Sequence, residues 1–158
     1  MVETHISLSV DRLLNEDSYA IPLYQRNFSW TYDEIEQLLN DVADAYQEKR
    51  DNYYIGTLVV NEENGLFKII DGQQRTTALN LIALVLKNEF NFDKLEAVNL
   101  TFPARRRSNE NIQNLFVNEK ISEDDENELT RGYRHAKDAL KKVLGERQLE
   151  PQSFVDYL

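Results

Sequence analysis

The chain has 158 residues, room for one domain but not comfortably for two. Lys plus Arg is 18 against 28 for Asp plus Glu, a net charge of −10, which argues against a plain nucleic-acid binder but leaves room for a local basic patch. Cysteine is absent and only His5 and His135 are histidines, so disulfides and thiol chemistry are excluded and a histidine-rich metal site is disfavoured. No secretory segment and no run of about 20 apolar residues occurs, so a cytoplasmic setting without a membrane is expected.

Five glycines and three prolines predict short loops and mostly helical structure. A first helix reads from about Ser9, itself a candidate N-cap, with Val10, Leu13 and Leu14 apolar. Tyr19 to Leu23 reads as extended, because Pro22 is unsuited to a helix interior and pushes Ile21 towards the β region. Thr31-Tyr32-Asp33-Glu34 has the form of a capping box. Ile35, Leu38, Leu39, Val42 and Tyr46 then recur at helical spacing. A strand is predicted over 53–60, a polar turn over 61–65 and a returning strand over 66–70, which makes a hairpin.

From Thr76 to Leu86 the chain is apolar on all sides, as a buried helix is. A short strand is predicted over 97–102, followed by Arg105-Arg106-Arg107. Two more helices are expected, near 109–117 and 123–144. The second carries Leu129, Tyr133, Ala136, Leu140 and Val143 on one face, with Gly145 a candidate cap. The acidic run from Ser122 to Glu128 suits a helix start, with a metal-binding loop as the weaker alternative. Pro151 and Ser153 begin a further helix that stops at Leu158, which suggests a piece of a longer protein. The expected fold is α+β: a small mixed sheet with surrounding helices over 1–102, and a helical extension over 103–158.

Two segments carry candidate chemistry. In Ile70-Asp71-Gly72-Gln73-Gln74-Arg75-Thr76-Thr77 a strand runs through a polar turn into the buried helix. Free amides and the macrodipole at that helix start suit an anion. Gly72 allows close backbone approach, Arg75 adds a planar cation, and Thr76 and Thr77 add hydroxyls. The plain alternative is an ordinary strand–turn–helix connection capped by Asp71. Paired glutamines are unusual in a mere turn, because burying them requires partners for their amides. The second segment, Ile21 to Trp30, mixes donors, a cation and aromatics. Arg26 can clamp a phosphate, and Tyr24 or Trp30 can stack on a base. Alternatively Phe28 and Trp30 both belong to the core, with Trp30 acting as a hydrophobic staple before Thr31. The triple arginine 105–107 suits phosphate or DNA contact as well as it suits a solvated loop.

These motifs, Ile21-Pro22-Leu23-Tyr24-Gln25-Arg26 and Asp71-Gly72-Gln73-Gln74-Arg75, resemble the N-terminal domain of GmrSD-type modification-dependent restriction proteins. The order agrees as well, with a long helix and a strand ending Tyr54-Ile55-Gly56-Thr57 between the two. The resemblance covers roughly the first ninety residues well and the helical remainder loosely. The family is similar, more distantly, to the ParB and sulfiredoxin superfamily, in which a Gly-x-x-Arg turn holds nucleotide phosphates; Gly72 to Arg75 fits that pattern.

The resemblance implies nucleoside triphosphate binding and, in relatives, hydrolysis coupled to restriction of modified foreign DNA. It implies Asp71, Gln73 and Gln74 as catalytic residues, with Asp71 also a candidate magnesium or metal-water ligand. Tyr24, Gln25, Arg26, Gly72, Arg75, Thr76 and Thr77 become nucleotide-binding candidates, and Arg105, Arg106 and Arg107 candidates for phosphate or DNA contact. The implied cofactors are a nucleoside triphosphate and Mg²⁺. The implied partners are modified DNA, reached through the full-length protein, and a C-terminal nuclease domain or partner subunit. Two other readings stay open at this level: a DNA-binding or ParB-like nuclease domain without its own NTPase activity, and an interaction module with a degenerate pocket. Base preference and oligomeric state leave no mark in the sequence.

Overall fold

The computed structural model describes residues 8–22, 27–51, 53–90, 95, 97–103, 105–117, 128–150 and 154. Helix α1, Val10–Asn15, starts where the Ser9 hydroxyl accepts the Arg12 amide at 3.1 Å. Strand β1, Ser18–Ala20, is shorter than expected, although the Ile21 amide still donates to the Thr101 carbonyl at 2.9 Å. Helix α2, Tyr32–Gln47, opens on the predicted capping box, with the Glu34 carboxylate accepting the Thr31 amide at 2.6 Å. It ends in a Schellman turn at Lys49, whose φ of 59° is left-handed: Arg50 donates to the Ala45 carbonyl and Lys49 to that of Tyr46.

The hairpin differs from its prediction in register. Strand β2 is Val59–Glu63 and β3 is Leu66–Asp71. Asn61 to Glu63 belong to the strand, and the turn contracts to Asn64-Gly65, both at positive φ, the pair that a two-residue hairpin turn prefers. Residues 53–58, predicted as strand, are irregular; Tyr53 and Ile55 pack on the hydrophobic cluster, and residues 56–58 lie against the turn after β3, as described below.

Helix α3, Gln73–Glu89, is buried from Thr76 to Leu86, as its all-round apolar pattern requires. Strand β4, Leu100–Thr101, follows, then α4, Arg106–Phe116, and α5, Glu128–Glu146. Gly145 lies within α5. The helix closes instead at Gln148, φ 52°, through the same pair of Schellman bonds, Leu149 to Leu144 and Gln148 to Gly145.

The sheet is mixed, in the order β2-β3-β1-β4. β1 runs parallel to both neighbours, and β2 pairs antiparallel with β3. With five helices around four strands among the described residues, the class is α+β, as predicted. One hydrophobic cluster runs from Leu13 through Ile35, Leu39, Ile69, Leu81 and Leu84 to Ile112, Leu140 and Phe154. The helices after residue 102 therefore share the core of the first part. α5 lies against α2 and α3. The approach is close at Gly132, where a Cβ would overlap Phe28 and Leu81. Polar ties fasten the same layer: Arg147 reaches Asp44, Gln47 and Asn40, and Lys142 reaches Glu36. No helix among the described residues is long and apolar enough to cross a membrane.

Candidate functional site

Strand direction decides where the sequence signals meet. β3, β1 and β4 are parallel, so Asp71, Ala20 and Thr101 all end at one edge of the sheet. From that edge leave the turn into α3, the chain towards the first motif, and the chain towards Arg105. β2 is antiparallel, so residues 56–58 enter at the same edge, with Val59 opposite Asp71. In open α/β sheets the carboxyl ends of parallel strands are where ligands gather, and the parallel part of this mixed sheet presents the same kind of edge. Tyr24, Gln25 and Arg26 lie outside the described residues. The described residues that follow them, Asn27 and Ser29, reach this edge through Gln74.

The turn is built around Gly72. Its φ of 99° favours glycine, and a Cβ would crowd the Thr57 carbonyl at 3.0 Å and Leu58 at 3.2 Å. Asp71 is exposed, and its Oδ1 accepts the Gly72 amide at 3.0 Å. No side chain caps α3. The amides of Gln73, Gln74 and Arg75 therefore open the helix without intrahelical partners, and the positive end of the dipole faces the same way. The first intrahelical bond is Thr76 N–H to the Gly72 carbonyl, 3.0 Å.

The two glutamines are used differently. Gln73 is half-buried at the first helical position. Gln74 is 7% exposed. Its Oε1 accepts the Ser29 amide at 2.7 Å, and its Nε2 donates to the Asn27 carbonyl at 3.0 Å. Thr77 donates its hydroxyl back to the Gln73 carbonyl at 2.8 Å, inside the helix, and Thr76 is buried. Asn80 donates to the Thr76 carbonyl at 2.9 Å.

Arg75 is the unusual member. Its guanidinium lies on Gly56, where any Cβ would overlap Nη1, and 5.9 Å from the centre of the Trp30 ring. That stacking is worth about 0.5–1 kcal/mol. Its Nε is buried and has no hydrogen-bond partner among the described residues. A buried donor left unsatisfied costs about 1–3 kcal/mol, a penalty that an acceptor would remove only where the guanidinium shifts to expose Nε. Trp30 is thus more than a staple, whereas Phe28 is core, 7% exposed against Gly132.

The triple arginine does not form the loop that the plain alternative expected. Arg105 is the N-cap of α4, and Arg106 and Arg107 fill its first turn, where cations oppose the dipole. The segment is pinned. Asn109 pairs through its side-chain amide with both the amide and the carbonyl of Phe102, at 2.8 and 3.0 Å, and Arg105 N–H donates to the Phe102 carbonyl at 2.9 Å. The Arg106 side chain is 92% exposed and pairs with Glu110 at 2.9 Å. One strand, β1, separates β3 from β4; the two basic groups therefore leave the sheet about 10 Å apart in the hydrogen-bonding direction. At its other end α4 is closed from α3: Lys87 Nζ donates to the Phe116 carbonyl and Asn88 to that of Leu115.

No group of three or more metal-ligating side chains occurs among the described residues. Residues 122–127 of the acidic run lie outside them; Glu128 is the first residue of α5. His135 is half-buried, edge-on to Tyr32 at 6.2 Å. Sequence reasoning does not single out Gly56, Asn27 or Ser29 as parts of the site. A lone glycine among Tyr53, Tyr54, Ile55 and Leu58 is the available signal for Gly56, since a glycine inside a strand-like pattern marks close approach. Asn27 and Ser29 act through their backbone and leave no signal.

Residues 10–156 match the model of the GmrSD restriction endonuclease N-terminal domain. The chain belongs to that family. The match extends past residue 102 through α4 and α5, in keeping with the shared core. No curated protein sequence matches the chain. Membership ties this GmrSD N-terminal domain to DNA restriction.

Proposed function

We propose that this GmrSD N-terminal domain binds a nucleoside triphosphate, with the polyphosphate at the start of α3. The observation that carries this is the buried, unpartnered Arg75 Nε, held between Gly56 and Trp30 beside an uncapped helix start. A phosphate oxygen would accept from Nε, and the amides of Gln73 to Arg75 would take a second. Gly72 keeps the backbone within reach. The Gly-x-x-Arg arrangement is compatible with the ParB and sulfiredoxin likeness. Arg26, Gln25 and Tyr24 are proposed as further contacts to phosphate and base.

In the hydrolytic form of the proposal, exposed Asp71 has one oxygen on its own turn and is proposed to hold the water of a magnesium ion brought by the nucleotide. A single carboxylate is enough for that, since Mg²⁺ keeps several waters and relies on substrate phosphates. Gln73 would orient the attacking water, as glutamines do in other triphosphatases.

The test is a melting panel of the four ribonucleoside triphosphates with and without magnesium, on wild type and Arg75→Ala. At a ligand concentration about 100 times Kd, stabilisation of about 2.7 kcal/mol is expected, and Arg75→Ala should lose most of it. No shift with any nucleotide in the wild type rules the proposal out. A second reading, DNA contact without nucleotide turnover, is favoured by one observation: arginines occupy the first turn of α4 against its dipole, with Arg106 almost fully exposed. It calls for binding that weakens linearly in log–log with salt, a dependence the net charge of −10 disfavours.

A further inference from the structure

We infer that Gln74 is a positioning residue that joins the chain after the first motif to the start of α3 and so assembles the site around Arg75. The paired glutamines then divide their work, Gln73 towards the ligand and Gln74 towards the protein. In an extended chain the carbonyl of one residue and the amide two residues on point to the same side, where a neighbouring strand would meet them. Asn27 O and Ser29 N–H are such a pair, and the Gln74 amide meets both, at 3.0 and 2.7 Å. The Ser29 hydroxyl adds a longer contact to the same oxygen, 3.4 Å. One buried side chain thereby does the work of a strand for a segment some 45 residues away in sequence.

The consequences lie on either side of Ser29. Phe28 is driven into the core against Leu81 and Gly132. Trp30 is set over Arg75. Asn27 directly follows Arg26 in the sequence, so the same two bonds hold the first described residues after the first motif. Neither glutamate nor a hydrophobic isostere reproduces them at neutral pH. A carboxylate can accept from Ser29 but has no proton for the Asn27 carbonyl; methionine offers neither group.

Glutamate is therefore the informative substitution. In Gln74→Glu the neutral acid can still donate to Asn27 and accept from Ser29, while the ionised form cannot donate. Burial raises a carboxyl pKa, so the switch in Gln74→Glu should fall above the ordinary glutamate range, roughly between pH 5 and 8. Trp30 is the only tryptophan of the chain, so acrylamide quenching of its fluorescence reports on this contact without any nucleotide. Quenching in Gln74→Glu should rise roughly twofold from acid to neutral pH, reversibly, as the segment opens to solvent. Wild type should show no such step, and Gln74→Met should be open at every pH.

The affinity arm rests on the nucleotide proposal. ATP with magnesium, or whichever triphosphate gives the largest wild-type shift, should bind Gln74→Glu about tenfold more weakly at neutral pH, as expected for one unsatisfied buried group, and regain most of its affinity in acid. If wild type binds no nucleotide, the nucleotide proposal fails and the quenching arm still judges Gln74. Should the variants fail to fold, amide hydrogen exchange in wild type decides: the Ser29 amide should be protected, although its residue is exposed and outside any helix or strand. Exchange of Ser29 at the open-chain rate, or a Gln74→Glu with wild-type quenching and affinity at neutral pH, overturns the inference.

Discussion

Arg75 and Arg106 leave the same edge of one sheet and live in opposite environments. Arg75 is half-buried on Gly56, faces the Trp30 ring and keeps an unpartnered buried Nε. Arg106 extends into solvent and pairs with Glu110 one helical turn on. An exposed pair of that kind is worth well under 1 kcal/mol, and its charge is screened by salt. The two arginines show that a cation near a helix start gains meaning from what immobilises it and from what it lacks. The surroundings of Arg75 bury a donor without an acceptor among the described residues; those of Arg106 leave its charge in solvent beside Glu110.

That contrast can be broken at Gly56. Gly56→Ala puts a methyl where the Arg75 guanidinium lies. We expect a loss of about 1–3 kcal/mol of stability from backbone strain, since φ at Gly56 is 151°, together with displacement of the guanidinium and loss of the nucleotide-induced melting shift. A denaturation curve in urea and the melting panel check both; a variant with unchanged stability and an unchanged shift would place Arg75 elsewhere.

Acid sharpens the contrast from the Trp30 side. Hydrogen bonds from the Thr31 hydroxyl and amide hold the Glu34 carboxyl below its ordinary value of 4.5. The folded value is lower than the unfolded one, so the contribution is fully present above about pH 4.5 and is lost as pH falls through the lowered folded value. The capping box follows Trp30 directly, so acid should loosen the entry to α2 beside Arg75. Comparing urea midpoints of wild type and Glu34→Gln against pH tests this. Wild type should be the more stable at neutral pH, and the gap should close in acid.

The smallest effect is expected at Arg106. Arg106→Ala removes a charge that opposes the α4 dipole and one exposed ion pair, and stability should change by no more than about 0.5 kcal/mol. The nucleotide shift should stay as in wild type. A loss of that shift would extend the site across β1 to α4, and the distinction between the two arginines would fall.

Much of the fold is legible along the chain because its signals are local. Ser9 and Thr31 announce helix starts through their hydroxyls. The apolar run after Thr76 announces burial, and Asn64-Gly65 announces a two-residue turn once the strands on either side are paired. The errors are local as well. Residues 53–58 have the composition of a strand but are irregular, with residues 56–58 against the α3 turn and Gly56 under Arg75. Gly145 has the composition of a cap but sits inside α5, because the left-handed position falls three residues later, on Gln148. Lys49 likewise takes a left-handed cap that glycine would occupy more cheaply. The candidate site divides in the same manner. Asp71 to Arg75 can be picked out by eye, but the use of Gln74 and the approach of Gly56 cannot.

By itself the sequence determined the family, the class of the fold and the identity of the candidate anion-binding turn, because motif, periodicity and capping are written in neighbouring residues. Only the tertiary structure decided that three parallel strands deliver the turn, the first motif's flank and the triple arginine to one edge. It alone decided that the Gln74 side chain meets the backbone of Asn27 and Ser29 and that Arg75 Nε is buried with no acceptor among the described residues. Strand order and the partners of a buried amide depend on residues tens of positions apart, and no local pattern records which of them meet.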